Sequence, residues 1–209
     1  MPPRASASKK TVHAAEQGRP DVAEARANWR LDQALLDPSK LVFIDETGTS
    51  TSMARLYGRA MRGLRALGRV PWGHWKVVTF TAALRLDGVV APFVIDKPMN
   101  GSIFVAYIRQ CLVPVLRSGD IVVMDNLPAH KNERVRALIE AAGAELRYLP
   151  PYSPDFNPIE QFFARLKAML RKAKERTVPA IYDRIGSLLD QCANDQYKAY
   201  FRNSGYART

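Results

Sequence analysis

Two short runs share one form. Leu41-Val42-Phe43-Ile44 is closed by Asp45, and Ile121-Val122-Val123-Met124 is closed by Asp125. Neither run alternates polar and apolar residues, so each reads as a strand covered on both faces. Such strands need helices above and below the sheet, which excludes a sandwich with one wet face and points to an α/β architecture. If the two strands are parallel neighbours, their C-terminal ends lie together and the two aspartates stand side by side. Open α/β sheets place their sites at that edge.

The rest of the chain fits this frame. The segment 74–96 reads as two strands around a Leu86-Asp87-Gly88 turn. Residues 101–116 read as a helix that Pro114 must end or kink. Residues 132–143 carry Val135, Leu138, Ile139 and Ala142 on one face and stop at Gly143. Residues 144–150 form a further strand, 157–176 the clearest helix, and a last helix is expected from Pro179 to Ala193. An antiparallel start followed by strand–helix alternation implies one mixed five-stranded sheet with helices on both faces. The first 19 residues read as a polar tail, and 20–36 as a helix. Residues 1–39 are therefore expected to be a tail or linker with one helix, and 40–209 a single α/β domain.

Charge narrows the function. Lys and Arg number 31 against 20 Asp and Glu, for a net charge of +11. A surplus of that size favours a polyanionic partner, with nucleic acid the commonest. Much of it lies in one stretch. Between Thr51 and Lys76 stand Arg55, Arg59, Arg62, Arg65 and Arg69 with no acid at all. This stretch reads as a long basic loop, either solvated or clamped on DNA phosphates or a second subunit, with Trp72 and Trp75 expected to anchor it in the core. Two distant cysteines, Cys111 and Cys192, give neither a zinc spacing nor a disulfide framework. No apolar run reaches membrane-spanning length and no secretory segment follows Met1, so the expectation is a soluble, cytoplasmic chain without a membrane partner.

A third acid stands out in "YLPPYSPDFNPIEQFF", Tyr148 to Phe163. Asn157, Pro158 and Glu160 fit the N-cap, N1 and N3 positions of a helix, so Glu160 suits a capping role. Asp45 and Asp125 suit turn-forming roles equally well. Three features of the helix favour more. Glu160 borders the apolar face formed by Ile159, Phe162, Phe163, Leu166, Met169 and Leu170, and no cation lies three or four residues on. Lys167 and Arg171 continue its stripe. Three clustered carboxylates repel one another, and bound divalent cations offset that repulsion. Phosphodiester cleavage with two such ions needs hard oxygen ligands of this kind. Strand parity alone does not choose between Asp45 and Glu46.

Taken in order, "FIDETG", "VVMDNLPAHK" and "YLPPYSPDFNPIEQFFARLK" resemble the DDE domain of bacterial insertion-sequence transposases in the mariner-like superfamily. Asp125 and Glu160 are separated by 34 residues, the spacing found in that family. The resemblance runs from about residue 40 to 205. It implies a ribonuclease H-like fold, two Mg²⁺ or Mn²⁺ ions, and double-stranded DNA as substrate. It also implies hydrolytic cutting at transposon ends and joining of the freed 3′-OH to target DNA, usually at a TA step. By motif position it makes Asp45, Asp125 and Glu160 the catalytic metal ligands, selects Asp45 over Glu46, and leaves Asp155 as a turn residue. Asn126, His130, Lys131, Asn157, Lys167 and Arg171 then become supporting or DNA-facing groups. It implies a homodimer in the active complex and a bacterial, nucleoid-associated location. Residues 1–40 are too short for the helix-turn-helix unit that precedes such domains, so that module is expected elsewhere. A nuclease without strand transfer, or a remnant that binds DNA or a partner without catalysis, are the alternatives.

Overall fold

The computed structural model describes residues 14–126 and 131–206. Five strands form one sheet: β1 (Leu41–Ser50), β2 (Val77–Arg85), β3 (Gly88–Ile95), β4 (Ile121–Met124) and β5 (Glu145–Tyr148). Their order is β3-β2-β1-β4-β5. β1–β2 and β2–β3 are antiparallel, while β1–β4 and β4–β5 are parallel. This is the mixed five-stranded sheet expected above. The two apolar runs are neighbours because both can be buried on two sides, and only the middle of a sheet offers that.

Parity sorts the side chains. Leu41, Phe43 and Val123 face one layer, and Val42, Ile44, Val122 and Met124 face the other. The first layer contains α1 (Pro20–Gln33), α4 (Pro158–Ala173), α5 (Val178–Asp190) and α6 (Asn194–Asn203). The second contains α2 (Gly101–Tyr107) and α3 (Glu133–Ala141). In the first layer Phe43 packs edge-on against Phe201, with ring centroids 5.4 Å apart, and against Tyr206 at 4.8 Å.

The helix expected over 101–116 changes pitch. α2 ends at Tyr107, a π turn covers Ile108–Leu112, and a 3₁₀ turn covers Val113–Val115. Pro114 brings no N–H and crowds the preceding turn, so a regular α-helical ladder cannot pass through it. β1 runs two residues beyond Gly48, because β2 continues to pair with it as far as Ser50. α6 was not foreseen as a separate helix. Its sequence is polar, yet Tyr197 and Phe201, four apart, bury one edge of it.

α1 is bound closely to this core. Val22, Arg26, Trp29 and Gln33 are buried along one stripe of it. Trp29 Nε1 donates to the Tyr206 hydroxyl at 3.0 Å, and that hydroxyl donates to the Phe156 carbonyl at 2.7 Å. Arg26 donates to both carboxylate oxygens of Asp155, at 2.9 and 2.7 Å, and to Ser153 Oγ at 2.7 Å. Its guanidinium also lies over the Phe156 ring at 4.5 Å. Asp155, expected as a plain turn residue, is thus the partner of a buried arginine. Burial works against its charge, but the Arg26 hydrogen bonds win and hold its carboxyl below the usual range. Arg26→Ala removes several charge-assisted hydrogen bonds, so it is expected to destabilise the fold by about 2 kcal/mol. Urea unfolding checks this, and an unchanged midpoint would contradict it.

Trp72 and Trp75 do not anchor the basic loop. Trp72 is 100% exposed and Trp75 59% exposed. From Arg55 to Lys76 the chain forms no helix or strand, and Leu56, Tyr57, Met61, Leu64, Leu67 and Val70 are exposed as well. The base of the loop is fixed to its surroundings. Thr51 N–H donates to the Lys76 carbonyl, Lys76 N–H donates to Thr51 Oγ1, and Arg176 donates to the carbonyls of Thr51 and Met53.

Candidate active site

Asp45 and Asp125 occupy equivalent places on neighbouring strands. β1 and β4 pair from Leu41↔Ile121 to Phe43↔Val123. Each aspartate follows two residues later, so both share the parity of Phe43 and Val123 and face the α4 layer. Glu46 has the opposite parity. Burial raises the pKa of Tyr107, a member of the other layer, and Cys111 and then Glu46 add to the shift. The register thus sets Asp45, and not Glu46, on the α4 side of the sheet.

The third carboxylate arrives from that layer. α4 starts at Pro158, whose fixed φ suits the first helical position. Ile159, Phe162, Phe163, Leu166 and Leu170 bury its inner face, and Met169 packs at the margin. Glu160 stands beside that face, at the rim of a cavity of about 390 Å³. Asp45, Asp125, Asn126, Asn157 and Glu160 all line this cavity. Its remaining wall is the proline-rich segment from Leu149 to Pro154. Tyr152 in that wall has φ 54°, which is costly for a residue with a Cβ. Arg26 and Gln17 both donate to its carbonyl, and so hold the wall in place.

The electrostatics are those of crowded acids. Burial pushes the Asp45 carboxyl up to about 8, and the nearby charges of Glu160 and Asp125 push in the same direction. The Glu46 backbone N–H, which donates to Asp45 Oδ1 at 2.8 Å, opposes this. Partial burial also raises Glu160, with Asp125 adding to the effect and the Lys167 ammonium opposing it. Lys167 therefore lies close enough for its field to reach the site, as its place on the stripe suggested.

Asn157 departs from the capping expectation alone. It does occupy the N-cap position of α4, but its side chain caps nothing. Instead Nδ2 donates to Asp45 Oδ2 at 2.9 Å. Glu160 N–H bonds to the Asn157 backbone carbonyl, so the reciprocal capping box is absent. Lys131 is exposed just before α3 and does not line the cavity. Arg171 is half-buried farther along α4, and also does not line it. The expectation for His130 falls outside the described residues. Arg55, Arg59, Arg62, Arg65 and Arg69 are exposed on the loop and none of them lines this cavity. The Arg26–Asp155 bond and the Tyr152 carbonyl were not foreseen as parts of the site's wall. The signal was the burial stripe of α1, at Val22, Arg26 and Trp29, which its polar residues disguised.

The donor set is all oxygen, which suits a hard divalent cation. Its acids already repel one another, and the buried side-chain oxygens of Asn126 and Asn157 have no hydrogen-bond partner. Among the described residues, no three His, Cys, Asp or Glu side chains converge tightly enough to enclose one ion. The carboxylates are close enough to perturb each other without forming a closed cage.

Residues 40–181 match the family model described as DDE superfamily endonuclease. The chain belongs to that family. No curated protein sequence matches it. Among solved structures it is similar to the Mos1 transposase paired-end complex with left transposon end, at 16% identity and TM-score 0.74. It is also similar to the Mos1 mariner paired end complex with Mn, at 15% identity and TM-score 0.77. In both cases the match covers 96% of this chain and 64% of the other. The catalytic domain of Mos1 mariner transposase matches at 14% identity and TM-score 0.67, covering 93% of this chain and 92% of that one. The likeness establishes a ribonuclease H-like α/β fold for this DDE endonuclease. The chain spans about two thirds of the length of the Mos1 chains in the DNA complexes. No helix among the described residues is long and apolar enough to cross a membrane.

Proposed function

We propose that this chain is the catalytic domain of a DNA transposase, which cuts phosphodiester bonds at transposon ends and joins the resulting 3′-OH to target DNA. The observation that carries this is the meeting of Asp45, Asp125 and Glu160 at one cavity, from two parallel strands and one helix. Mos1 structures with the same fold hold Mg or Mn and transposon-end DNA, which supports the same ligand classes here. The bacterial insertion-sequence assignment rests on the motif resemblance.

The carboxylates of Asp45, Asp125 and Glu160 would hold Mg²⁺ or Mn²⁺, two ions in all. Bound there, the ions lower the barrier for the attacking oxygen and stabilise the leaving one. The chain's own residues supply the rest. β1 and β4 set the spacing of the aspartates, and the rigid proline wall aims Glu160 at them. Asn157 fixes the rotamer of Asp45. Lys167 places a positive charge beside the acids, where a phosphate backbone would pass. Asp45 sheds its proton readily only when positive charge is close, so ligand binding and ionisation are linked.

The basic loop is proposed as the DNA or subunit clamp of a homodimer. Its exposed apolar residues favour a protein surface, and its arginines favour phosphates. Substituting Arg59 and Arg62 together by Gln should weaken DNA binding about equally on all sequences. The slope of log affinity against log salt should fall by roughly 1 for each phosphate no longer neutralised. An unchanged slope rules out phosphate binding at these two positions. A helix-turn-helix module separate from this catalytic domain would supply recognition of the transposon ends.

The reading is tested by incubating the purified chain with supercoiled plasmid and with oligonucleotide duplexes, with Mg²⁺, Mn²⁺ or EDTA. Metal-dependent nicking is the expected result. Nicking that persists in EDTA would show that the acids are not metal ligands. DNA binding with no heat of Mg²⁺ or Mn²⁺ binding would favour a remnant that binds DNA without catalysis.

A further inference from the structure

The proposed site holds one interaction that the three acids alone do not account for. Asn157 is 2% exposed, so its amide must find partners within the protein or at the cavity. Nδ2 has one, the Asp45 carboxylate, at 2.9 Å. This bond decides the amide's orientation, since the flipped amide would set oxygen against oxygen. Oδ1 is then directed away from Asp45. It is buried and has no hydrogen-bond partner. The helix offers an Asn at this position an easier arrangement, because the side chain of an N-cap residue ordinarily accepts from a backbone N–H one turn on. Asn157 forgoes that bond, and a buried amide oxygen without a partner is unfavourable.

Asn126 repeats the pattern. It follows Asp125 at the end of β4, lines the same cavity, and its Oδ1 is also buried without a partner. Thus two of the four buried side-chain atoms that lack partners among the described residues belong to the two asparagines of one cavity. Each asparagine adjoins an element that carries one of the acids. Neutral amide oxygens accept hydrogen bonds from water. Mg²⁺ keeps several of its waters when protein-bound, and those waters are strong donors.

We infer that Asn157 and Asn126 form an outer ring around the cation site, with their Oδ1 atoms accepting from the water shell of a divalent ion while Asn157 Nδ2 locks Asp45 in its ligating rotamer. Asn157 is thus a positioning residue with two jobs, and Asn126 has one. This inference rests on the proposed reading of Asp45, Asp125 and Glu160.

The test is Mn²⁺ binding to the full chain without DNA, followed by calorimetry and by loss of the free-ion electron paramagnetic resonance signal. Melting in EDTA is measured alongside. Asn157→Ala should weaken Mn²⁺ binding by about tenfold to a hundredfold, and Asn126→Ala by about tenfold, the range seen for groups that orient ligands from behind. Both variants should remain folded in EDTA. If Asn157→Ala proves unfolded there, Asn157→Ser carries the same comparison. Wild-type Mn²⁺ affinity in the Asn157 variant overturns its positioning role, and wild-type affinity in Asn126→Ala overturns the amide-oxygen ring. Asp125→Asn separates the two levels. If it abolishes binding while the asparagine variants leave binding intact, only the present inference fails. If it too binds as wild type, the carboxylate site itself is wrong.

Discussion

Asp125→Asn is expected to lower metal-dependent DNA nicking by about a thousandfold or more, with little change in melting temperature. The substitution keeps the shape of the side chain and removes its charge. An amide beside Asp45 and Glu160 is a poor substitute for a hard anionic ligand. Losing such a ligand costs several kcal/mol of transition-state stabilisation, which corresponds to that factor in rate. The fold should tolerate the change. β4 is held to β1 and β5 by backbone pairing through Met124, and removing one of several mutually repelling acids relieves the metal-free protein. Glu46→Gln is the matching control, because Glu46 has the opposite parity on the same strand as Asp45. It should nick within a few-fold of wild type. Equal activity of the Asp125 variant and wild type would remove the basis for the site.

The second large effect is on stability. Arg85 and Asp120 form an ion pair that is 2% and 4% exposed. Arg85 lies at the end of β2 and Asp120 just before β4, at the edge of the sheet opposite the acids. Both terminal guanidinium nitrogens donate to the carboxylate, one of them also to the Val115 carbonyl, and the Arg117 N–H completes the ring. Arg85→Ala leaves a buried carboxylate without its cation and is expected to cost about 3–5 kcal/mol. That is a large share of the stability of a domain this size. Arg85→Met with Asp120→Leu should recover most of it, since well-packed apolar replacements of buried pairs are often neutral.

Burial of Asp120 opposes its charge, but Arg85 and the Arg117 N–H prevail and hold the carboxyl below its ordinary value of 3.8. The folded state therefore binds fewer protons than the unfolded state in this range. The stabilisation is complete above the ordinary value of 3.8 and fades as pH falls through the lowered folded value. Acid titration of the melting temperature should show this loss in wild type and not in the double apolar variant. Identical acid profiles would contradict it.

Much of the sheet was legible because burial on both faces leaves a mark in sequence. Two uninterrupted apolar runs of strand length suit central strands, and the turn at Leu86-Asp87-Gly88 pairs β2 with β3. The same physics made α4 legible, with its Asn-Pro start and a single apolar stripe. The cavity's acids were legible for a different reason, since their order and spacing repeat a known motif. What stayed hidden was polar burial. Arg26 and Gln33 fill core-facing positions of α1 with side chains that read as surface. α6 is hidden in the same way, with only Tyr197 and Phe201 to show its inner edge. The two tryptophans misled in the opposite sense, because apolar character signals a preference for cover and says nothing of whether this chain provides it. Asn157 shows a third limit. A residue can sit where a cap belongs and still commit its amide to a partner 112 residues away.

The pairing of β1 with β4 has a consequence for how this chain tolerates change in length. Asp45 and Asp125 are each two residues past the last paired position, Phe43↔Val123. Their alignment is thus a matter of counting along two strands. Adding or removing one residue between Ile121 and Asp125 would reverse the parity of Asp125 and turn it toward α2 and α3. A change of two would restore the face but displace the carboxylate by about 7 Å along the strand. By contrast, insertions in the loop between Thr51 and Lys76 leave this alignment untouched, because its ends are tied together at their base. Scanning the chain with single-residue insertions should therefore show a few intolerant positions beside a long permissive one, a contrast that the plasmid-nicking assay would read.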